Sequence, residues 1–131
     1  MNVRTADLSE EDCISVLKLA DMWEFLEIRD LAIKELSNRT MDPFTKVLLA
    51  KRYKIPVWLR LGYQELANRE EIITCEEAKQ LGWDAAIRIF HLRDKAMARF
   101  VQGMMEEVRW HINENDINIA FAKELIDVTE I

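Results

Sequence analysis

The sequence predicts an all-α fold of about seven helices, packed as antiparallel pairs, with one long helix near the C-terminus. Helix-start patterns recur along the chain, and no stretch alternates apolar and polar residues for long enough to indicate a strand. Only three glycines and two prolines interrupt the 131 residues. Half of the residues are apolar and 32% are charged, which is typical of a globular domain. We therefore expect residues 1–131 to form a single helical domain.

The first two helices are predicted to form an antiparallel pair, because the link between them is short. Ser9 is the predicted N-cap of the first helix, Asp12 occupies the capping-box position, and the helix should extend to about Met22. The second helix is predicted from about Phe25 to Ser37. Apolar residues at helical spacing are expected to be buried. They are Ile14, Leu17, Ala20, Trp23, Ile28, Leu31, Ala32 and Leu36.

Proline marks the start of the third and fourth helices. Asp42-Pro43 combines a capping side chain with a proline at the first helical position, and this helix should end near Lys54. Ile55-Pro56 interrupts the helical pattern and begins a fourth helix that reaches about Asn68. Gly62 lies within the fourth helix, where the absence of a side chain favours a close approach of a neighbouring helix.

Polar capping patterns predict a short fifth helix and a last helix. Thr74 and Glu77 form a capping box, and Gly82 ends the fifth helix. The polar cluster at residues 113–116 makes a turn and caps the last helix. One face of that helix is expected to carry Ile117, Phe121 and Leu125.

The long sixth helix is predicted from Trp83 or Asp84 to about Ile112. Apolar residues at spacings of three, four and seven form one stripe along it, and Arg93 and Asp94 fall in a gap of the stripe. The stripe consists of Ala86, Phe90, Met97, Val101, Met104 and Val108. Packing against the last helix is the interpretation that this pattern favours.

Two segments resemble fungal BTB/POZ proteins. Residues 15–36, with Leu19-Ala20-Asp21-Met22-Trp23, resemble the helix pair that closes a BTB domain. Residues 42–94, with Ala50-Lys51-Arg52-Tyr53-Lys54-Ile55-Pro56-Val57-Trp58-Leu59, are similar to the BACK-like helices that follow it. The resemblance divides the chain into 9–38, 42–94 and the end of the long helix with the C-terminal helix at 95–131. It implies an adaptor, and some animal relatives of the family bind a cullin scaffold of a ubiquitin ligase.

Five side chains are candidates for contact with a protein partner. Phe44, Tyr53 and Trp58 are large aromatics of the kind that dominates binding hot spots. Met97 and Met104 belong to a flexible methionine stripe that would suit a partner groove or a dimer seam. Helical spacing favours core packing as the alternative for both groups.

Enzyme chemistry has little support in the sequence. His91 and His111 are about 30 Å apart along a helix, so they cannot share a metal or a proton. Glu107 and His111 are one turn apart, but a catalytic metal site needs three protein ligands, and a surface ion pair is the alternative. Glu-x-x-His motifs, phosphate-binding glycine loops and Gly-x-Ser-x-Gly are absent. We predict a non-enzymatic protein without a cofactor; a small-ligand or metal-binding helical bundle is the alternative.

The net charge and the apolar runs of the chain limit the partners and the compartment that we expect. The net charge is −6, and residues 106–131 hold seven acids and two bases, which disfavours nucleic acid as a partner. Arg88, Lys95 and Arg99 form a basic strip suited to an acidic partner, or a solvated face. The apolar runs are too short to span a membrane, and no signal sequence follows Met1. We expect a protein of the cytoplasm or nucleus, with Cys13 and Cys75 as free thiols, that binds a protein partner or itself.

Overall fold

The computed structural model describes residues 8–103 and 111–129, which contain eight α-helices and no strand. The all-α prediction is confirmed for this part of the chain. The eighth helix arises because the predicted last helix is divided at Phe121. The helices group into two compact units, one formed by the described residues up to 42 and the other by those from 43 onwards. The helices are α1 (Glu10–Met22), α2 (Leu26–Ser37), α3 (Pro43–Tyr53), α4 (Pro56–Asn68), α5 (Cys75–Leu81), α6 (Trp83–Val101), α7 (Glu114–Ala120) and α8 (Ala122–Thr129).

The first unit is a hairpin of α1 and α2, which contact each other. The predicted N-cap is confirmed, because the Ser9 hydroxyl accepts a hydrogen bond from the Asp12 amide at 3.1 Å. The turn after α1 has a Schellman pattern: the Phe25 amide donates to the Ala20 carbonyl and the Glu24 amide to the Asp21 carbonyl. Glu24 occupies the left-handed position of this turn, at φ 57°, where glycine is the usual residue.

Only part of the predicted hairpin core is buried. The buried residues in α1 and α2 are Cys13, Leu17, Ala20, Ala32 and Leu36. The prediction was wrong for Trp23, Ile28 and Leu31, which are exposed. A pattern at helical spacing identifies a shared face, but it does not show whether a neighbouring element covers that face.

The second unit is organised around α4, which pairs with α3 and also contacts α6, α7 and α8. The predicted close approach at Gly62 is confirmed. A Cβ atom at Gly62 would lie 2.6 Å from Cγ2 of Val47 in α3, so only glycine allows this spacing of the two helices. The large side chains Leu59, Tyr63 and Leu66 of α4 are fully buried.

The predicted caps of α5 and α7 are confirmed. Thr74 and Glu77 form a reciprocal capping box. Asn113 and Asp116 form a second one at the start of α7. Arg69 adds a bidentate ion pair to Glu77, with N–O distances of 2.8 and 3.1 Å. This hydrogen bonding from Arg69 lowers the pKa of the Glu77 carboxyl below its ordinary value.

The longest described helix, α6, lies in the middle of the chain and is shorter than predicted. It ends at Val101 and not near Ile112, because Gly103 takes a left-handed conformation at φ 72° directly after the C-cap, Gln102. Its buried residues also differ from the predicted stripe: they are Ala85, Ala86, Ile89, Arg93 and Ala96.

Arg93 is a buried cation of α6. Its guanidinium donates hydrogen bonds to the carbonyl oxygens of Leu66, Ala67, Arg69 and Glu70. These carbonyls lie at the C-terminal end of α4, where a helix has unpaired acceptors and a partial negative charge. Arg93 therefore ties α6 to the end of α4.

Candidate partner-binding surfaces

The α1–α2 hairpin exposes seven large apolar side chains within thirteen residues of sequence. Their exposed fractions range from 45% for Ile28 to 67% for Leu26. Exposed large apolar groups are common singly, whereas a contiguous group marks an interaction site. We call this group the hairpin surface; it consists of Leu19, Met22, Trp23, Phe25, Leu26, Ile28 and Leu31.

A groove crosses the hairpin surface where the end of α1 faces the start of α2. Its volume is about 350 Å³. The side chains that line it are all apolar: Val16, Leu19, Ala20, Trp23, Phe25 and Ile28. A second hollow adjoins it at the turn, where Glu24 and Glu27 stand beside Phe25, Leu26 and Ile28. The hairpin surface therefore combines an apolar floor with carboxylates at one edge.

The charge of the hairpin surface is negative. Residues 19–31 contain four acids and one base, a net charge of −3. The base, Arg29, pairs with Asp21 at 3.6 Å and reaches Asp30 at 4.0 Å. Glu24 and Glu27 are exposed, and no ion pair joins either of them to a residue that the structure describes. These two carboxylates are available to a cationic partner.

A second apolar surface follows one side of α6. Its residues recur at spacings of three, four and seven, and their exposed fractions lie between 38% for Phe90 and 77% for Val101. We call it the α6 stripe; it consists of Trp83, Ile87, Phe90, Met97 and Val101. Part of the predicted sixth-helix stripe is thus exposed, while Met104 and Val108 lie outside the described residues.

The predicted basic strip lies on another side of α6. Arg88, Lys95 and Arg99 line a hollow of about 300 Å³ together with Ile119 of α7. Arg88 is already engaged, since it donates to Asp84 at 3.0 Å and to the Ala120 carbonyl at 2.8 Å. The contact with Ala120 links α6 to the end of α7. Arg88 therefore has a structural role.

The five predicted contact residues have different surroundings. Tyr53 and Trp58 are buried, with 6% and 3% of their surface exposed, and Phe44 is half-buried. This burial matches the core role that helical spacing favoured for the aromatics. Met97 is 50% exposed and belongs to the α6 stripe, whereas Met104 lies outside the described residues. A contact of these residues with a partner stays a prediction.

A polar cluster in the second unit links three helices. The Tyr63 hydroxyl lies 2.8 and 2.9 Å from the two carboxylate oxygens of Glu124, to which it donates. Lys51 pairs with Glu124 at 3.3 Å, and the ring of Phe121 stacks on Tyr63 at 4.0 Å. Burial first, and then the charge of Glu124, raise the pKa of the Tyr63 hydroxyl above its ordinary value. Tyr63 therefore stays protonated and acts as a hydrogen-bond donor that holds α8 against α4.

The structure gives the metal alternative no support within the described residues. No group of three His, Cys, Asp or Glu side chains there has the arrangement of a metal site. Of the predicted pair, His111 is exposed and Glu107 lies outside the described ranges. Cys13 is buried, Cys75 is exposed, and neither forms a disulfide, so the prediction of free thiols is confirmed. No helix in residues 8–103 and 111–129 is long and apolar enough to cross a membrane.

Comparison with known proteins finds no matching family model, curated protein or solved structure. The exposed surfaces themselves therefore carry the assignment of function. Helical periodicity did not identify the hairpin surface. The available signal was the number of large apolar residues in 19–31. One helix pair buries only the side chains that lie between its facing sides. Seven large apolar residues in two short helices exceed what that space can hold.

Proposed function

We propose that this chain is an intracellular, non-enzymatic protein-interaction module that binds a partner protein on the hairpin surface. The observation that carries the proposal is the exposure of seven large apolar side chains in one short segment. Five of these side chains line the groove and the hollow beside it: Leu19, Trp23, Phe25, Leu26 and Ile28. Monomeric proteins rarely leave a contiguous apolar group of this kind in water, because burying it is favourable.

The size of the hairpin surface supports the same proposal. Seven large side chains, each about half exposed, offer on the order of 700 Å² for burial, taking about 200 Å² for a fully exposed large side chain. A stable protein–protein interface buries about 800 Å² on each partner. Trp23 and Phe25, with exposed fractions of 64% and 55%, are residues of the type that contributes most to such interfaces.

Residues 9–38 resemble the closing helices of a BTB domain, and residues 42–94 resemble BACK-like helices. This resemblance supports an adaptor role for the proposed module. A cullin-type ubiquitin-ligase scaffold is then the partner to test first. An interaction with such a scaffold would make the chain a substrate-recruiting or scaffold-binding adaptor.

The test compares two pairs of apolar-to-serine substitutions in the full chain. Leu19→Ser/Leu26→Ser changes the hairpin surface, and Val57→Ser/Leu61→Ser makes the same chemical change on exposed residues of α4. Tagged wild-type and variant chains are used for affinity purification, and a purified cullin N-terminal region is titrated separately. We expect the hairpin variant to lose its partner and the α4 variant to retain it, with unchanged circular dichroism for both. Retention of the same partner by both variants would show that the hairpin surface is not the binding site.

A second candidate function is self-association through the α6 stripe, which is favoured by the exposure of Trp83, Ile87, Met97 and Val101. Light scattering over a range of concentrations tests it. Replacing Trp83 and Met97 by serine should shift the mass to that of a monomer if the stripe is a dimer seam. A wild-type chain that stays monomeric at all concentrations would eliminate this candidate.

A further inference from the structure

We infer that the partner segment recognised by the hairpin surface is an amphipathic helix whose apolar face is flanked by lysine or arginine. This inference depends on the proposed function, since it names the chemistry of the partner that docks there. It identifies a basic helix of another protein as the occupant, in preference to a second copy of this chain.

The lining of the groove suits an amphipathic helix better than a small molecule. Its volume of about 350 Å³ is at the small end of ligand pockets, and its lining is apolar. A groove of this kind has no polar group to orient a small molecule, but it can accept apolar side chains that a helix presents at positions i, i+3, i+4 and i+7. The exposed Trp23 and Phe25 provide flat aromatic surfaces on which such side chains pack.

The charge around the groove selects a basic partner. Residues 19–31 carry a net charge of −3, and the carboxylates of Glu24 and Glu27 stand at the edge of the groove without an ion pair to any described residue. A second copy docked on this surface would bring an equal negative charge against it. A helix with flanking lysines would neutralise it and would also associate faster.

The backbone at Glu24 provides a way to test the role of its side chain. Its left-handed conformation, at φ 57°, strains an ordinary residue and would suit glycine better. Lys54 has the same conformation, at φ 56°, at the end of α3 in the second unit. The pair offers a matched comparison, because glycine relieves the same strain at both positions but removes a groove carboxylate only at Glu24.

The test uses three synthetic helical peptides that share one apolar i, i+3, i+4, i+7 pattern and differ only in flanking Lys, Gln or Glu residues. Each labelled peptide is titrated with the full chain, and binding is followed by fluorescence anisotropy at low and at physiological salt. We expect the Lys peptide to bind at least about tenfold more tightly than the Gln peptide, and the Glu peptide to bind most weakly. Salt should reduce the differences, because the charges are exposed.

Four variants show which groups cause the preference for the Lys peptide. Glu24→Lys/Glu27→Lys should reverse the order of the Lys and Glu peptides. Glu70→Lys/Glu71→Lys, an identical charge change on exposed residues of the second unit, should leave the order unchanged. Glu24→Gly should weaken binding of the Lys peptide about threefold or more, whereas Lys54→Gly should not.

The outcomes separate this inference from the proposed function. Equal affinity for the three peptides, abolished by Leu19→Ser/Leu26→Ser, would overturn the basic partner while leaving the hairpin surface as a docking site. No binding of any peptide, or binding unaffected by that variant, would overturn the inference itself. A wild-type dimer that Leu19→Ser/Leu26→Ser converts to a monomer would identify a second copy as the occupant and would also overturn it.

Discussion

The two units of the chain use their large side chains differently. In residues 43–129, Leu59, Tyr63 and Leu66 are fully buried, and polar groups such as Arg93 reach across to neighbouring helices. In the hairpin, Leu17 and Leu36 are buried, but the aromatics Trp23 and Phe25 are exposed. We therefore expect the second unit to supply most of the stability and propose the hairpin as the surface for recognition.

The largest expected change in stability comes from replacing Arg93 in the second unit. Replacing it by methionine would leave four carbonyls at the end of α4 without their charged donor, and we expect the second unit to lose about 3 kcal/mol of stability. Hydrogen exchange of the α4 amides measures this loss. Arg93→Lys keeps the charge but not the planar fork of donors, and it should lose less. Unchanged exchange in the methionine variant would mean that the contact contributes no stability.

A smaller loss of stability, which depends on pH, is expected when the Tyr63 hydroxyl is removed. Removing the hydroxyl with Tyr63→Phe should cost about 2 kcal/mol, because it breaks a hydrogen bond to the charged Glu124. The pKa of Tyr63 is raised in the folded chain above the unfolded value of about 10. The stability that this provides is therefore complete below pH 10 and is lost as the pH rises further.

Urea unfolding of wild type and Tyr63→Phe between pH 8 and pH 11 tests this prediction. Above pH 10 the advantage of the wild type should shrink by about 1.4 kcal/mol per pH unit, since only the wild-type unfolded state ionises at this position. A difference between the two proteins that stays constant over this range would show that the Tyr63 pKa is not raised.

The smallest expected effect is a gain in stability at the two strained turns. Glu24→Gly and Lys54→Gly should each stabilise their helix end by up to about 1 kcal/mol, because relief of the left-handed strain exceeds the entropic cost of glycine. Thermal unfolding and amide exchange near each turn measure the gain. If Glu24→Gly instead destabilises the hairpin, the carboxylate of Glu24 supports the fold. The hairpin residues would then contribute to stability as well as to recognition.

Features fixed by neighbouring residues could be predicted from the sequence. The caps at Ser9, Thr74 and Asn113 depend on side chains three residues apart, and Gly62 depends on one missing atom. The end of α6 depends on Gly103, which is likewise a local signal in the sequence.

Burial and long-range contacts could not be predicted in the same way. Tyr63 and Glu124 are 61 residues apart, and no local pattern indicates that they meet. Arg93 fell in the gap of the predicted stripe, yet it is buried because the end of α4 offers it four acceptors. Trp23, Ile28 and Leu31 of the hairpin surface were assigned to the core for a similar reason, since periodicity defines a face of a helix without defining what covers it.

The carboxylates beside the groove also have a consequence for the behaviour of the protein in solution. An uncovered cluster of aromatic and aliphatic side chains is an aggregation hazard, and acids placed among such residues act as gatekeepers that keep molecules apart. Asp21, Glu24, Glu27 and Asp30 alternate with the apolar residues of this segment. Because these charges hold molecules apart, replacing the four acids by their amides should steeply lower the concentration at which the chain stays dispersed.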